Sequence, residues 1–310
     1  MEHEEWQALS DDARYALVDS ILIEHERFNA LYREITQYAR VGLTSRIHEP
    51  PCLAIMGDTG AGKSTLIRTW LTRTPERETP TATIIPYLYV IVPAYASMKA
   101  AAAAILTKLH DPNPSRGTEW NMTMRIYRLM AACQVQMVII DELQHLINKE
   151  RQHQIAHRVA DFFKTILLET HVPMVVVGHT QEMQEIFAAN SQLDRRFGTP
   201  RLLTPFMWDR ARPDDTIAEF CELLGTIDAA LPLDPSGLGE EAMAYRFFYA
   251  TNGYLGWVMH LVRHAAFAAI RTPCHGISLE LLAAAYQERV AGTIMGKNKD
   301  NPFTPAFKGA

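Results

Sequence analysis

Nothing constrains this chain more than Cys52-Leu53-Ala54-Ile55-Met56 followed by Gly57-Asp58-Thr59-Gly60-Ala61-Gly62-Lys63-Ser64-Thr65. Five mostly apolar residues read as a buried strand, and the pattern G-x-x-x-x-G-K-S reads as the turn from that strand into a helix. Gly57, Gly60 and Gly62 permit backbone angles closed to other residues and let the main chain approach a ligand. Successive backbone N–H groups then point inward at the mouth of a helix starting near Lys63, forming a nest for phosphate. Asp58, Thr59, Ala61 and Thr65 complete that stretch. Lys63 is placed to reach β- and γ-phosphates, and the Ser64 hydroxyl to ligate Mg²⁺. The implied ligand is ATP with Mg²⁺; the alternative is an ordinary glycine-rich strand-to-helix turn.

A second run supplies the other half of such a site. Met137-Val138-Ile139-Ile140 ends in Asp141-Glu142. A continuous apolar run suits a parallel strand buried on both faces, and ligands sit at the carboxyl ends of such strands. Asp141 then holds the metal ion, directly or through water, and Glu142 orients and polarises an attacking water. Met174-Val175-Val176-Val177-Gly178 is the next buried strand, with His179-Thr180 at its tip. His179 is the candidate for sensing the γ-phosphate; the alternative there is a helix cap by Thr180. Arg195 and Arg196 close a short helix before an expected last strand from Arg201 to Phe206. They are either surface charges or an arginine finger, whose planar charged fork stabilises charge developing on the γ-phosphoryl group. A finger there cannot easily reach its own subunit's nucleotide, so that reading implies a site completed by a neighbouring copy.

Composition narrows the classes. A chain of 310 residues with 48% apolar content carries a large core, one α/β domain with a smaller appendage. A formal net charge of −5 argues against a broadly basic coat for nucleic acid, without excluding a local patch. Cys52, Cys133, Cys221 and Cys274 are widely spaced in apolar surroundings and read as reduced core thiols. His145, His153 and His157 lack the spacing of a zinc helix. No apolar run reaches the ~18 residues that span a bilayer, and the acidic start lacks a signal-peptide pattern, so a cytoplasmic protein with no membrane partner is expected.

Along the chain, residues 1–42 read as an N-terminal helical segment whose apolar face docks either on the core or on a neighbouring subunit. Pro50-Pro51 breaks the chain before the first strand. Residues 43–212 form the α/β core, with a parallel sheet flanked by helices, and 213–292 a C-terminal all-α lid. Within the core, Ser97 is a plausible N-cap, and helices are expected through about Leu109 and from about Thr118 to Cys133. Residues 293–310 read as a flexible tail in which Asn301-Pro302-Phe303 is either a docking peptide or simply disordered.

A phosphate-binding loop, Val138-Ile139-Ile140-Asp141-Glu142, a polar residue after Val-Val-Val-Gly, paired arginines and a helical lid together resemble an AAA+ ATPase. More narrowly the chain resembles the TniB and TnsC transposition regulators of bacterial transposons, including CRISPR-associated ones. That likeness rests on Gly57 to Thr65, Ile140 to Leu146, Val177-Gly178-His179, Gln192 to Phe197 and Asn252-Gly253-Tyr254-Leu255-Gly256, and covers about residues 25–292. It departs from the wider pattern twice. The lid motif Gly-x-x-Arg is replaced by Gly253 with Gly256 three positions on, so Arg263 or no residue serves. His179 stands where relatives often show threonine.

The resemblance implies an ATPase that forms a homo-oligomeric ring or filament on duplex DNA and connects a TniQ-type target selector to the transposase. Bound ATP favours assembly, and hydrolysis promotes disassembly. It also implies backbone contacts to DNA from the helix start at Ser97-Met98-Lys99 and the loop Arg116-Gly117-Thr118, with Lys99 and Thr118 first and Arg116 beside them. Residues 99–128 hold Lys99, Lys108, Arg116, Arg125 and Arg128 against Asp111 and Glu119, charges suited to phosphate or simply to a solvated face. Two other functions use the same nucleotide site. A helicase loader or replication-initiator ATPase should add a DNA-reading or helicase-docking domain; a small-molecule kinase needs neither finger nor oligomer.

Overall fold

The computed structural model describes residues 6, 9–44, 50–72, 75–80, 82–94, 97–146, 152–189, 191–272, 275–297 and 299–307. Cys274 lies outside them. The chain forms two compact units, one of Glu26–Leu203 and one joining the chain up to His25 with the chain from Thr204 onward.

The first unit is a parallel sheet between two helical layers. Strands β1 (Cys52–Met56), β5 (Met137–Asp141) and β6 (Met174–Gly178) are buried at every position, as parallel strands covered on both faces must be. With β4 (Tyr87–Ile91) and β7 (Arg201–Leu202) they run in the order β4-β5-β6-β1-β7. The short strands β2 (Arg77–Glu78) and β3 (Thr83–Ile84) pair separately and antiparallel. Side chains alternate across the sheet. Ala54, Met56, Val138, Ile140 and Val176 pack under α4 (Met98–Lys108), α5 (Glu119–Ala132), α6 (Gln152–Thr170) and α7 (Thr180–Ala189). Leu53, Ile55, Ile139, Val175 and Val177 pack against α2 (Glu26–Thr44) and α3 (Lys63–Leu71). Because β6 lies between β1 and β5, the tips Met56, Gly178 and Asp141 form one row, with Met56 in register with Gly178.

The second unit is all-α: α1 (Asp11–Ser20), α9 (Pro213–Ala230), α10 (Glu241–Thr251), α11 (Leu255–Arg271) and α12 (Leu279–Arg289) surround a core that includes Phe220, Phe247, Leu261 and Tyr286. Among the described residues no helix is long and apolar enough to cross a membrane.

Three sequence expectations change. The N-terminal segment is not one element. Ile21 leaves α1 with extended backbone, so α1 packs in the second unit, where Tyr15 meets Phe267 edge-on at 5.4 Å, while Phe28, Leu31 and Ile35 of α2 join the sheet core. The last strand stops at Leu202 instead of Phe206; the main chain of Leu203 still bonds Met56, but Pro205 has no N–H to extend a ladder. The stretch after residue 292 is also packed rather than flexible over its described part. Phe303 is fully buried against Phe247 at 5.1 Å, and Asn301 bonds Ala283 O at 2.9 Å. Arg246 donates to the carbonyls of Pro302 and Thr304. One buried ring outweighs the polar composition around it.

Candidate functional site

Helix α3 begins at Lys63 behind Gly62, whose φ of 98° no side-chain-bearing residue adopts easily; Gly60 has φ 84°. Gly57 serves differently: a Cβ there would lie 2.6 Å from the Leu203 carbonyl oxygen. The glycines therefore fold Gly57 to Thr65 into a tight loop at the tip of β1, leaving main-chain N–H groups at the start of α3 available for an anion. Lys63 is only 9% exposed and donates to Gly57 O at 2.7 Å and Asp58 O at 3.0 Å. Burial holds its ammonium below the usual lysine range, opposed by the carboxylates of Glu142, Asp141 and Asp58. Those acidic groups thus converge on the loop's one lysine.

Asp141, at the end of β5, is 1% exposed. Its Oδ1 accepts the Glu142 N–H at 2.9 Å, and its Oδ2 accepts hydroxyls from Ser64 at 3.3 Å and Tyr89 at 2.7 Å. A hydroxyl and a carboxylate oxygen side by side, next to the tight loop at the tip of β1, are the hard donors that Mg²⁺ takes. When bound there, the ion supplies positive charge to phosphate oxygens. Tyr89 was missed in the sequence; its only signal is a tyrosine repeated at alternate positions of an edge strand. Burial, then Asp141, pushes its phenol well above the usual range.

Glu142 sits in the left-handed region, φ 58°, without being glycine. Such backbone outliers persist where the surroundings enforce them. Its carboxylate accepts the Gln144 side-chain amide. His145 contacts Val92 O at 2.9 Å through Nδ1, and its Nε2 lies 3.9 Å from Glu142 Oε2. From the tip of β6, His179 places Nδ1 2.6 Å from Glu182 Oε2 and Nε2 3.5 Å from Asp58 Oδ1 of the loop. Gly57 to Thr65, Asp141, Glu142 and His179 are therefore one cluster. Chemically it is able to hold a triphosphate, a hard cation and a carboxylate-oriented water.

Arg195 and Arg196 lie on α8 (Ser191–Phe197), and the charge of Arg196 acts on Cys52, at the opposite end of β1 from the loop. Burial pushes the Cys52 thiol up to about 12, with the Met174 backbone N–H and Arg196 opposing.

Lys99 is exposed in the first turn of α4, whose N-cap is Ser97, bonded to Ala100 N at 3.2 Å. Thr118 caps α5 through Asn121 N at 3.2 Å, with Arg116 exposed just before it and Trp120, 69% exposed, just after. Arg125 belongs to the fold instead. It braces the preceding loop through Asp111 Oδ2 at 2.7 Å, Arg116 O at 2.7 Å and Asn113 O at 2.9 Å. In the second unit, Arg263 donates to Asp19 O at 3.2 Å.

Residues 17–206 match the family described as bacterial TniB protein. No curated protein is detectably similar in sequence. The fold is similar to that of the Aeropyrum pernix ORC1 protein in complex with DNA, at TM-score 0.61 and 17% identity over 89% of this chain and 69% of that one. It is similar to the Aeropyrum pernix ORC2 protein in ADPNP-ADP complexes, at TM-score 0.61 and 14% identity over 87% and 69%. CDC6P from Pyrobaculum aerophilum gives TM-score 0.61 and 14% identity over 92% and 72%. These likenesses establish the AAA+ P-loop fold.

Proposed function

Because the chain belongs to the TniB family of bacterial proteins, we propose that this AAA+ ATPase is a DNA-binding regulator of transposition that assembles on duplex DNA with ATP bound. The observation that carries the reading is the clustering of Lys63, Ser64, Asp141, Glu142 and His179 at the strand tips; the finger candidate Arg196 acts instead on Cys52, at the other end of β1. A neighbouring copy is then needed to bring a cation to the γ-phosphate.

In this account the loop N–H groups and Lys63 bind the triphosphate, and Ser64 and Asp141 hold Mg²⁺. Glu142 orients the water, and His179 senses the γ-phosphate. Arg195 or Arg196 of the adjacent copy stabilises charge in the transition state. Lys99, Thr118 and Arg116 contact phosphates of the duplex, which fixes the assembly on DNA without reading its sequence. Such an assembly presents a repeated surface to a TniQ-type target selector and to the transposase, and hydrolysis releases it.

A second reading, a replication initiator or helicase loader, is favoured by the ORC1 and CDC6P likenesses. A gel shift on random duplex DNA, with and without a non-hydrolysable ATP analogue, tests the proposal. Analogue-dependent binding that is lost in Lys63→Ala and weakened in Lys99→Glu supports it. Binding indifferent to nucleotide, or none, overturns it.

A further inference from the structure

Gln144 was not a candidate from the sequence, yet its side chain touches both sides of the site. It lies in the 3₁₀ turn Leu143–Leu146 that follows Glu142. Its Nε2 donates to Glu142 Oε2, and its Oε1 accepts the backbone N–H of His179 at 3.1 Å. A primary amide has a donor end and an acceptor end, and here each is used on a different strand tip. The approach is close enough to dictate a neighbour: a Cβ on Gly178 would lie 2.7 Å from Gln144 Oε1 and 2.8 Å from the Met183 side chain. Glycine at the end of β6 therefore makes room for this amide.

Two consequences follow from the bond directions. With Oε2 of Glu142 tied to an N–H donor, the orientation of the carboxylate is fixed. And because the same amide hangs on the main chain of His179, the carboxylate is fixed to the tip of β6, not only to its own strand. His179 in turn lies 3.5 Å from Asp58 of the phosphate-binding loop. A chain of contacts thus runs from the loop through His179 and Gln144 to Glu142.

We propose that Gln144 is a positioning residue for ATP hydrolysis: it aims the Glu142 carboxylate and couples that aim to the β6 tip beside the bound phosphates. The inference rests on the ATPase reading of this site. Removing a hydrogen-bonded partner that orients a functional side chain at a metal site typically costs about 10–100-fold in metal affinity or activity, and a loss of that order is expected here.

The test uses the full-length chain with Gln144→Met, which keeps side-chain length and packing but removes both polar ends. Steady-state ATP hydrolysis by Gln144→Met should show kcat lowered about 10–100-fold with KM and nucleotide-analogue binding changed less than about twofold, as expected for an interaction used in the transition state. Single-turnover hydrolysis then compares Glu142→Gln with the double variant Glu142→Gln/Gln144→Met. If Gln144 acts through Glu142, the second change costs nothing further once Glu142 is gone. An unchanged kcat in Gln144→Met, or a loss that multiplies undiminished in the double variant, overturns the inference while the ATPase reading stands. A Glu142→Gln protein that hydrolyses ATP at the parental rate overturns the inference by removing its target, whereas a parental protein that hydrolyses no ATP overturns the ATPase reading.

Discussion

Tyr89 donates its phenolic hydrogen to Asp141 Oδ2 at 2.7 Å, across from β4 to β5, on the same oxygen that Ser64 approaches at 3.3 Å. The carboxylate proposed to hold the cation is thereby oriented by a partner outside the proposed ligand set. Tyr89→Phe should raise the Mg²⁺ concentration for half-maximal hydrolysis by about tenfold and leave nucleotide binding without Mg²⁺ unchanged. A magnesium titration of the ATPase rate, beside a fluorescent-nucleotide binding curve, checks both parts.

In the proposed mechanism Glu142→Gln removes the oriented base and leaves Lys63, Ser64 and Asp141 intact. It should bind ATP normally, lose hydrolysis by about 10²–10⁴-fold, and stay longer on DNA as an oligomer. Phosphate release and dissociation after dilution read these two effects. Parental turnover would remove Glu142 from the mechanism.

Phe303→Ala deletes a fully buried ring packed on Phe247 and Tyr286. Such truncations cost about 3–5 kcal/mol. Urea denaturation of the intact protein should show that loss, whereas a tail without packing would show almost none.

Alkaline pH should destabilise the fold through Cys52. Its thiol lies near 9.0 when unburied and is pushed to about 12 in the fold. Between those values the unfolded chain releases the proton and the folded one keeps it. The contribution is therefore complete below about pH 9.0 and disappears as pH climbs towards about 12. Melting temperature against pH should fall less steeply above 9.0 in Cys52→Ala than in the parent.

The sequence made the sheet legible because β1, β5 and β6 are uninterrupted apolar runs ending in Gly57, Asp141 and Gly178, and each tip carries polar chemistry. Ser97 and Thr118 announced their helices through the ordinary capping preference, and both caps are made. Tyr89 and Gln144 were hidden for a different reason. Tyr89 reaches Asp141 only because β4 pairs with β5 in register Tyr89 to Ile139, and Gln144 reaches His179 only because β6 lies between β1 and β5. Neither pairing is written in local periodicity. The C-terminal stretch misled because lysines, prolines and glycines outnumber its two aromatics, Phe303 and Phe307, which decide its packing. The arginine pair was legible as charge; under the proposed function the nucleotide it serves depends on a second copy.

That dependence is tested most directly by mixing two inactive proteins on duplex DNA with ATP. One is Glu142→Gln, which keeps Arg195 and Arg196; the other is Arg195→Ala/Arg196→Ala, which keeps Glu142. Each alone should hydrolyse poorly, and a one-to-one mixture should recover up to about a quarter of the parental rate, since head-to-tail contacts pair each intact half by chance. A mixture no more active than its components, or an arginine double variant fully active alone, would contradict a site shared between copies.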